Sequence, residues 1–108
     1  MSLLEQYKIL LDDYNKVLIL SGAILAGLEN KGSPSEIITL LEQKQAIAKN
    51  IVHLTNSISA TKIKNRKDPN LQNLTEVKTL LSHITEKAKQ IQKIEKKIQG
   101  FLQPDDTR

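Results

Sequence analysis

Apolar residues recur along this chain in alternating steps of three and four, forming three seams separated by two polar stretches that each carry a proline. The first seam runs Leu3, Tyr7, Leu10, Tyr14, Val17, Ser21, Ile24, Leu28. Beside it, Leu4, Leu11, Leu18 and Leu25 follow at spacing seven, so the apolar stripe is wide enough to touch two neighbours. The spacing predicts a helix over 3–30, stopped at Gly27 or at Gly32 after Asn30–Lys31.

A second helix, 34–62, has the clearest start. Ser33 suits the N-cap, Pro34 suits the first helical position, and Glu36 completes a capping box. Its seam is Ile37, Leu40, Lys44, Ile47, Ile51, Leu54, Ile58, widened by Leu41 and Ala48. Residues 64–70 read as a loop, and Asp68–Pro69 repeats the cap-then-proline signal for a third helix over 69–102. That seam is Leu74, Val77, Leu81, Ile84, Ala88, Ile91, Ile98, Leu102, with Leu80, Ile94 and Phe101 alongside. Residues 103–108, with Pro104, read as a frayed tail.

Helices of roughly 28–32 residues would each span about 40–48 Å. Short connections make sequential helices antiparallel neighbours. The expected fold is all-α: an elongated, antiparallel up-down-up three-helix bundle, coiled-coil-like, forming one domain over 1–108.

Composition narrows the chemistry. Tyr7, Tyr14 and Phe101 are the only aromatics, so the core must be Leu, Ile, Val and Ala. Cys is absent, which removes disulfides, thiolate nucleophiles and Cys-based metal sites. The longest charge-free apolar stretch, Val17–Leu28, is too short for the roughly 20 residues a membrane-spanning helix needs. Glu5, Asp12 and Asp13 stand where a secretory signal would be basic and then apolar. A cytoplasmic protein without membrane insertion is expected. His53 and His83 lie on different helices without companion ligands and read as surface residues, and Asp12–Asp13 reads as a solvated pair. No phosphate-binding glycine loop or nucleophile–base–acid set is present, so neither an enzyme nor a cofactor is expected.

Charge is uneven. Residues 1–60 carry a net −1 and residues 61–108 a net +5. Lys62–Lys67 and the set Lys87, Lys89, Lys93, Lys96, Lys97 could meet phosphates, yet no aromatic lies among them and the chain has only two arginines. Glu86 and Glu95 stand at pairing distance from neighbouring lysines. A solvated helix face is the expectation, and nucleic acid is not the expected partner. Lys44, the one charge in a seam, is read as snorkelling with its ammonium in water, the other reading being a specificity device; Ser21 is open to the latter reading too.

The apolar pattern exceeds what three helices need. Ile9, Ile19, Leu20 and Ala23 lie outside the first helix's two rows, and Leu80, Ile94 and Phe101 lie beside the seam positions Ile84, Ile91 and Ile98. Either supercoiling absorbs these residues internally or another helix covers them. The candidate partner-binding residues are Leu80, Ile84, Ile91, Ile94, Ile98 and Phe101.

The chain resembles flagellar export chaperones of the FlgN type, and more loosely the FliT type. The likeness lies in Leu18–Leu28, in Asn30–Lys31–Gly32 with Ser35–Glu36, and in Leu40–Leu54, where Leu40 and Leu41 precede Lys44, Ile47, Ile51 and Leu54. A basic third helix rich in Gln and Lys adds to it, so the likeness spans nearly the whole chain. The resemblance implies a cytoplasmic chaperone that binds amphipathic C-terminal helices of hook-filament junction or cap proteins, prevents premature assembly and hands them to the export apparatus. In that family an aromatic near the C-terminal end can contact export machinery; here Phe101 stands there, and no Tyr. The alternative function is a structural or regulatory homodimeric coiled-coil protein.

Overall fold

The computed structural model describes residues 3–64 and 71–102; the side chains of 62–64, 71–74 and 102 stand outside that description. Three helices, α1 (Leu3–Glu29), α2 (Pro34–Lys64) and α3 (Leu71–Leu102), fill it. They form a rod of 54 × 26 × 22 Å. α2 continues two residues past the 62 that its seam suggests. The Asp68–Pro69 cap, the basic cluster beyond Lys64, the side chains of Leu74 and Leu102 and the 103–108 tail lie outside the described residues.

α1 ends by a Schellman turn. The Gly32 amide donates to the Gly27 carbonyl at 2.6 Å and the Lys31 amide to that of Leu28 at 3.3 Å. Sequence reasoning assigns the stop to a glycine, yet the left-handed residue is Lys31, with φ 53°. Gly32 follows it, tight against α1: a Cβ there would lie 3.2 Å from the Gly27 carbonyl oxygen. α2 then starts from Ser33, with the Ile37 amide donating to the Ser33 carbonyl at 3.1 Å. The Ser33 hydroxyl lies 3.0 Å from that of Ser35.

The turn brings α2 back along α1 at close range. A Cβ on Gly27 would sit 3.3 Å from Ile37 Cγ1, so the missing side chain sets how near α2's first turn can lie. At the other end of α1, Tyr7 and Leu10 join Ile58 near the end of α2 and Val77 near the start of α3. α2 is therefore antiparallel to α1, and α3 returns parallel to it.

α1 is the middle of the assembly. Both α2 and α3 pack on it, but among the described residues no Cα of α2 comes within 8 Å of one in α3. Two rows flank the α1 seam, each at spacing seven. Gln6, Asp13, Leu20 and Gly27 form one row; Gly27 touches Ile37, and Leu20 lines a groove with α2's Gln43, Ala46 and Ile47, so this row faces α2. The leucine row, on the opposite flank of the seam, remains for α3; Leu4, Leu11 and Leu80 pack against the cluster that joins Val77 and Ile84 to Tyr7, Leu10 and Ile58. The wide stripe read from sequence thus serves two neighbours.

Relief of the strained turn gives a direct check. An L-residue in the left-handed region costs about 1–2 kcal/mol over glycine, part of which returns as the greater freedom of unfolded glycine. Lys31→Gly should therefore stabilise the protein by about 1 kcal/mol, read as a rise of about 3–6 °C in melting temperature. Gly32→Val should lower it, because the Cβ presses on the Gly27 carbonyl.

Candidate partner-binding faces

α3 commits one line of residues to the interior. Val77, Ile84, Ile91 and Ile98, at spacing seven, are all buried. Next to them runs a second line, Leu80, Lys87, Ile94 and Phe101, in which the first three are half-buried and Phe101 is 51% exposed. The six candidate residues therefore divide. Leu80, Ile94 and Phe101 stand on an edge that an incoming helix meets directly, whereas Ile84, Ile91 and Ile98 lie beneath it. A partner reaches those three only if α3 parts from α1. Leu81, placed in the seam by its spacing, is 37% exposed, and Ala48 of α2 is exposed too.

Polar groups in the interior follow the same geometry. Lys44 does not simply snorkel: its Nζ lies 2.7 Å from a carboxylate oxygen of Glu95, bridging α2 and α3, with 18% of the lysine side chain exposed. Glu95, which helical spacing assigns to neighbouring lysines, spends its charge across the gap instead. Asp13 corrects the solvated-pair reading. Asp12 is exposed and holds Lys16 at 3.1 Å, one turn on, but Asp13 shares the Gln6 row that α2 covers and is buried. Burial pushes the Asp13 carboxyl above its ordinary value; Lys16 opposes that shift and Asp12 adds to it. Gln6 Oε1 and Ser21 Oγ are buried without a hydrogen-bond partner. The signal for both burials was present in the seven-residue spacing that links Gln6 and Asp13 to Leu20 and Gly27.

Of the surplus on α1, all but Leu20 stays outside. Ile9 and Ala23 are exposed, Ile19 is 71% exposed, and Leu20 is half-buried. Beside Ile19 a shallow apolar groove of about 430 Å³ opens between α1 and α2, lined by Lys16, Ile19, Leu20, Gln43, Ala46 and Ile47. His53 and His83 are exposed, and among the described residues no group of three or more His, Asp or Glu could hold a metal ion. On α3, Lys89, Lys93, Lys96 and Lys97 are exposed and Lys87 is half-buried. Among the described residues no helix is long and apolar enough to cross a membrane. Comparison with known proteins finds no family model, no curated relative and no solved structure that matches the chain.

Two checks follow from these placements. Ile91→Ala, in the buried line, should cost about 2–4 kcal/mol in denaturant unfolding. Phe101→Ala, on the open edge, should cost under about 1 kcal/mol. For Asp13, the raised pKa means the folded state holds the proton more tightly than the unfolded chain. The resulting penalty is absent well below 3.8 and complete once pH passes the raised value. Asp13→Asn should accordingly raise the melting temperature at pH 7, with the gain shrinking as pH falls toward 3.8.

Proposed function

We propose that this chain is a helix-binding protein rather than an enzyme: a cytoplasmic export chaperone of the FlgN type. Its clients are the amphipathic C-terminal helices of flagellar hook-filament junction or cap proteins, held back from premature assembly and passed to the export apparatus. The observation that carries the reading is the shallow commitment of α3, which buries one residue in seven and leaves Leu80, Ile94 and Phe101 along its edge.

A client helix would lay its apolar stripe along that edge, with Phe101 as the anchor at the C-terminal end. Aromatic anchors contribute large contact area for few rotatable bonds, which makes them strong interface residues. Exposed Lys93, Lys96 and Lys97 surround this part of α3 and would favour acidic positions on the client's flanks. Where binding also frees α3 from α1, the line Ile84, Ile91 and Ile98 would join the surface.

The test uses a peptide of the C-terminal helix of a hook-filament junction protein and titration by fluorescence anisotropy. Phe101→Gln, and Ile94→Gln with it, should weaken binding by about tenfold or more while circular dichroism keeps its helical signal. Unchanged affinity in the double variant would remove the α3 edge as the binding face.

A further inference from the structure

We infer that the rod binds an anionic lipid bilayer surface through one end of its α1–α3 flank, where lysines without ion-pair partners frame an apolar patch. The contact lies at headgroup level and spans nothing. It goes beyond the client reading and needs no client. Ile94 and Phe101 serve both, so bilayer and client are alternative occupants of that edge.

Two parallel helices build the patch. Leu4 and Leu11 of α1 and Leu80 of α3 pack against one cluster, so the leucine row and the Leu80 line border each other. Carried on at spacing seven, half-buried Leu18 and Leu25 stand beside Ile94 and Phe101. Gly22 lies one turn from both leucines, and a Cβ there would meet nothing within 4 Å. Exposed Ile19 and Ala26 widen the ground, and no charge interrupts α1 from Val17 to Leu28.

Charge selects the partner. Lys87, Lys89, Lys93, Lys96 and Lys97 fall within residues 87–97, with Glu95 the one acid among them. Glu95 gives its charge to Lys44 of α2, and among the described residues none of those five lysines holds an ion pair. Lys97 stands one turn from both Ile94 and Phe101, and Lys93 one turn from Lys97. Toward the other end of the same two helices the balance reverses, with Glu5, Asp12, Glu76 and Glu86 exposed against Lys8, Lys16 and Lys78. A nucleic acid duplex would use the lysines and leave the apolar ground in water. A bilayer uses both: anionic headgroups attract the lysines, whose stems snorkel, while Phe101, Ile94 and Ile19 reach the acyl boundary.

Co-sedimentation of the full chain with vesicles tests this. The chain should pellet with equal parts phosphatidylglycerol and phosphatidylcholine at low salt and be released as salt rises. With phosphatidylcholine alone it should stay in solution. Each lysine at an anionic surface contributes about fivefold in binding, so Lys93→Gln with Lys97→Gln should weaken it by about tenfold or more, with melting temperature little changed. The chain has no Trp, so Phe101→Trp should report the contact as a blue-shifted emission on anionic vesicles. Val52→Trp, at an exposed position of α2, should not shift. No binding to the anionic vesicles overturns the inference. So does binding indifferent to the two lysine changes, an equal shift at Val52→Trp, or equally strong binding of duplex DNA. No client takes part, so failure here leaves the client reading standing.

Discussion

The first helix is sheathed by the other two along separate rows, and neither of those has the other's backbone to rest on. Each interface must then supply its own burial. α1 meets this demand with the seam Tyr7, Leu10, Val17 and Ile24, flanked by leucines on the side of α3 and by Gln6, Asp13, Leu20 and Gly27 on the side of α2. The outer helices contribute less. Among the described side chains, α3 gives its single buried line and α2 buries only Ile58, with Ile37, Leu40, Ile47, Ile51 and Leu54 half-covered. A core this shallow leaves apolar edges by construction, because helices held on one side keep two flanks half in water.

The row of α1 that faces α2, with Gln6 and Asp13, is also more polar than the leucine row. An unsatisfied buried polar atom costs about 1–3 kcal/mol, and Gln6 Oε1 and Ser21 Oγ both lack partners. Asp13 adds a carboxylate that resists ionising there. Small size is what Ser21 offers in return: fully buried beside Ile24, it occupies the seam where a leucine would hold the neighbouring helices further off. Across the gap, Lys44 and Glu95 make the ion pair that links α2 to α3. A pair this exposed adds about 0–1 kcal/mol, so its larger effect is on register, fixing which turn of α3 stands beside Lys44.

Periodicity made the helices legible, and cap chemistry placed the start of α2 at Pro34. The seam of α1 and the buried line of α3 could be read because both follow a fixed period across many turns. Three features could not. Asp13 carries a charge, which by itself points to solvent, while its spacing from Gln6, Leu20 and Gly27 points to the interior. The Lys44–Glu95 pair joins residues far apart in sequence, and nothing local singles out Glu95 from its neighbours. Lys31 takes the left-handed turn although glycine follows it directly, since the turn geometry assigns that conformation by hydrogen bonding and not by residue type.

Leu80, Ile94 and Phe101 show where sequence reasoning divides from structure on function. Spacing places them beside Ile84, Ile91 and Ile98, but only the packing of α3 on α1 decides which of the two lines faces out. The same packing leaves two apolar faces with unlike surroundings. The α3 edge lies among exposed lysines, and a helix with acidic flanks would be drawn to it. The α1 face is free of charge from Val17 to Leu28, with Lys16 at one end and Glu29 at the other. A charge brought to that centre would be buried unpaired, which is costly. The two apolar surfaces therefore differ in the charge that frames them: lysines line the α3 edge, and the middle of the α1 face carries none.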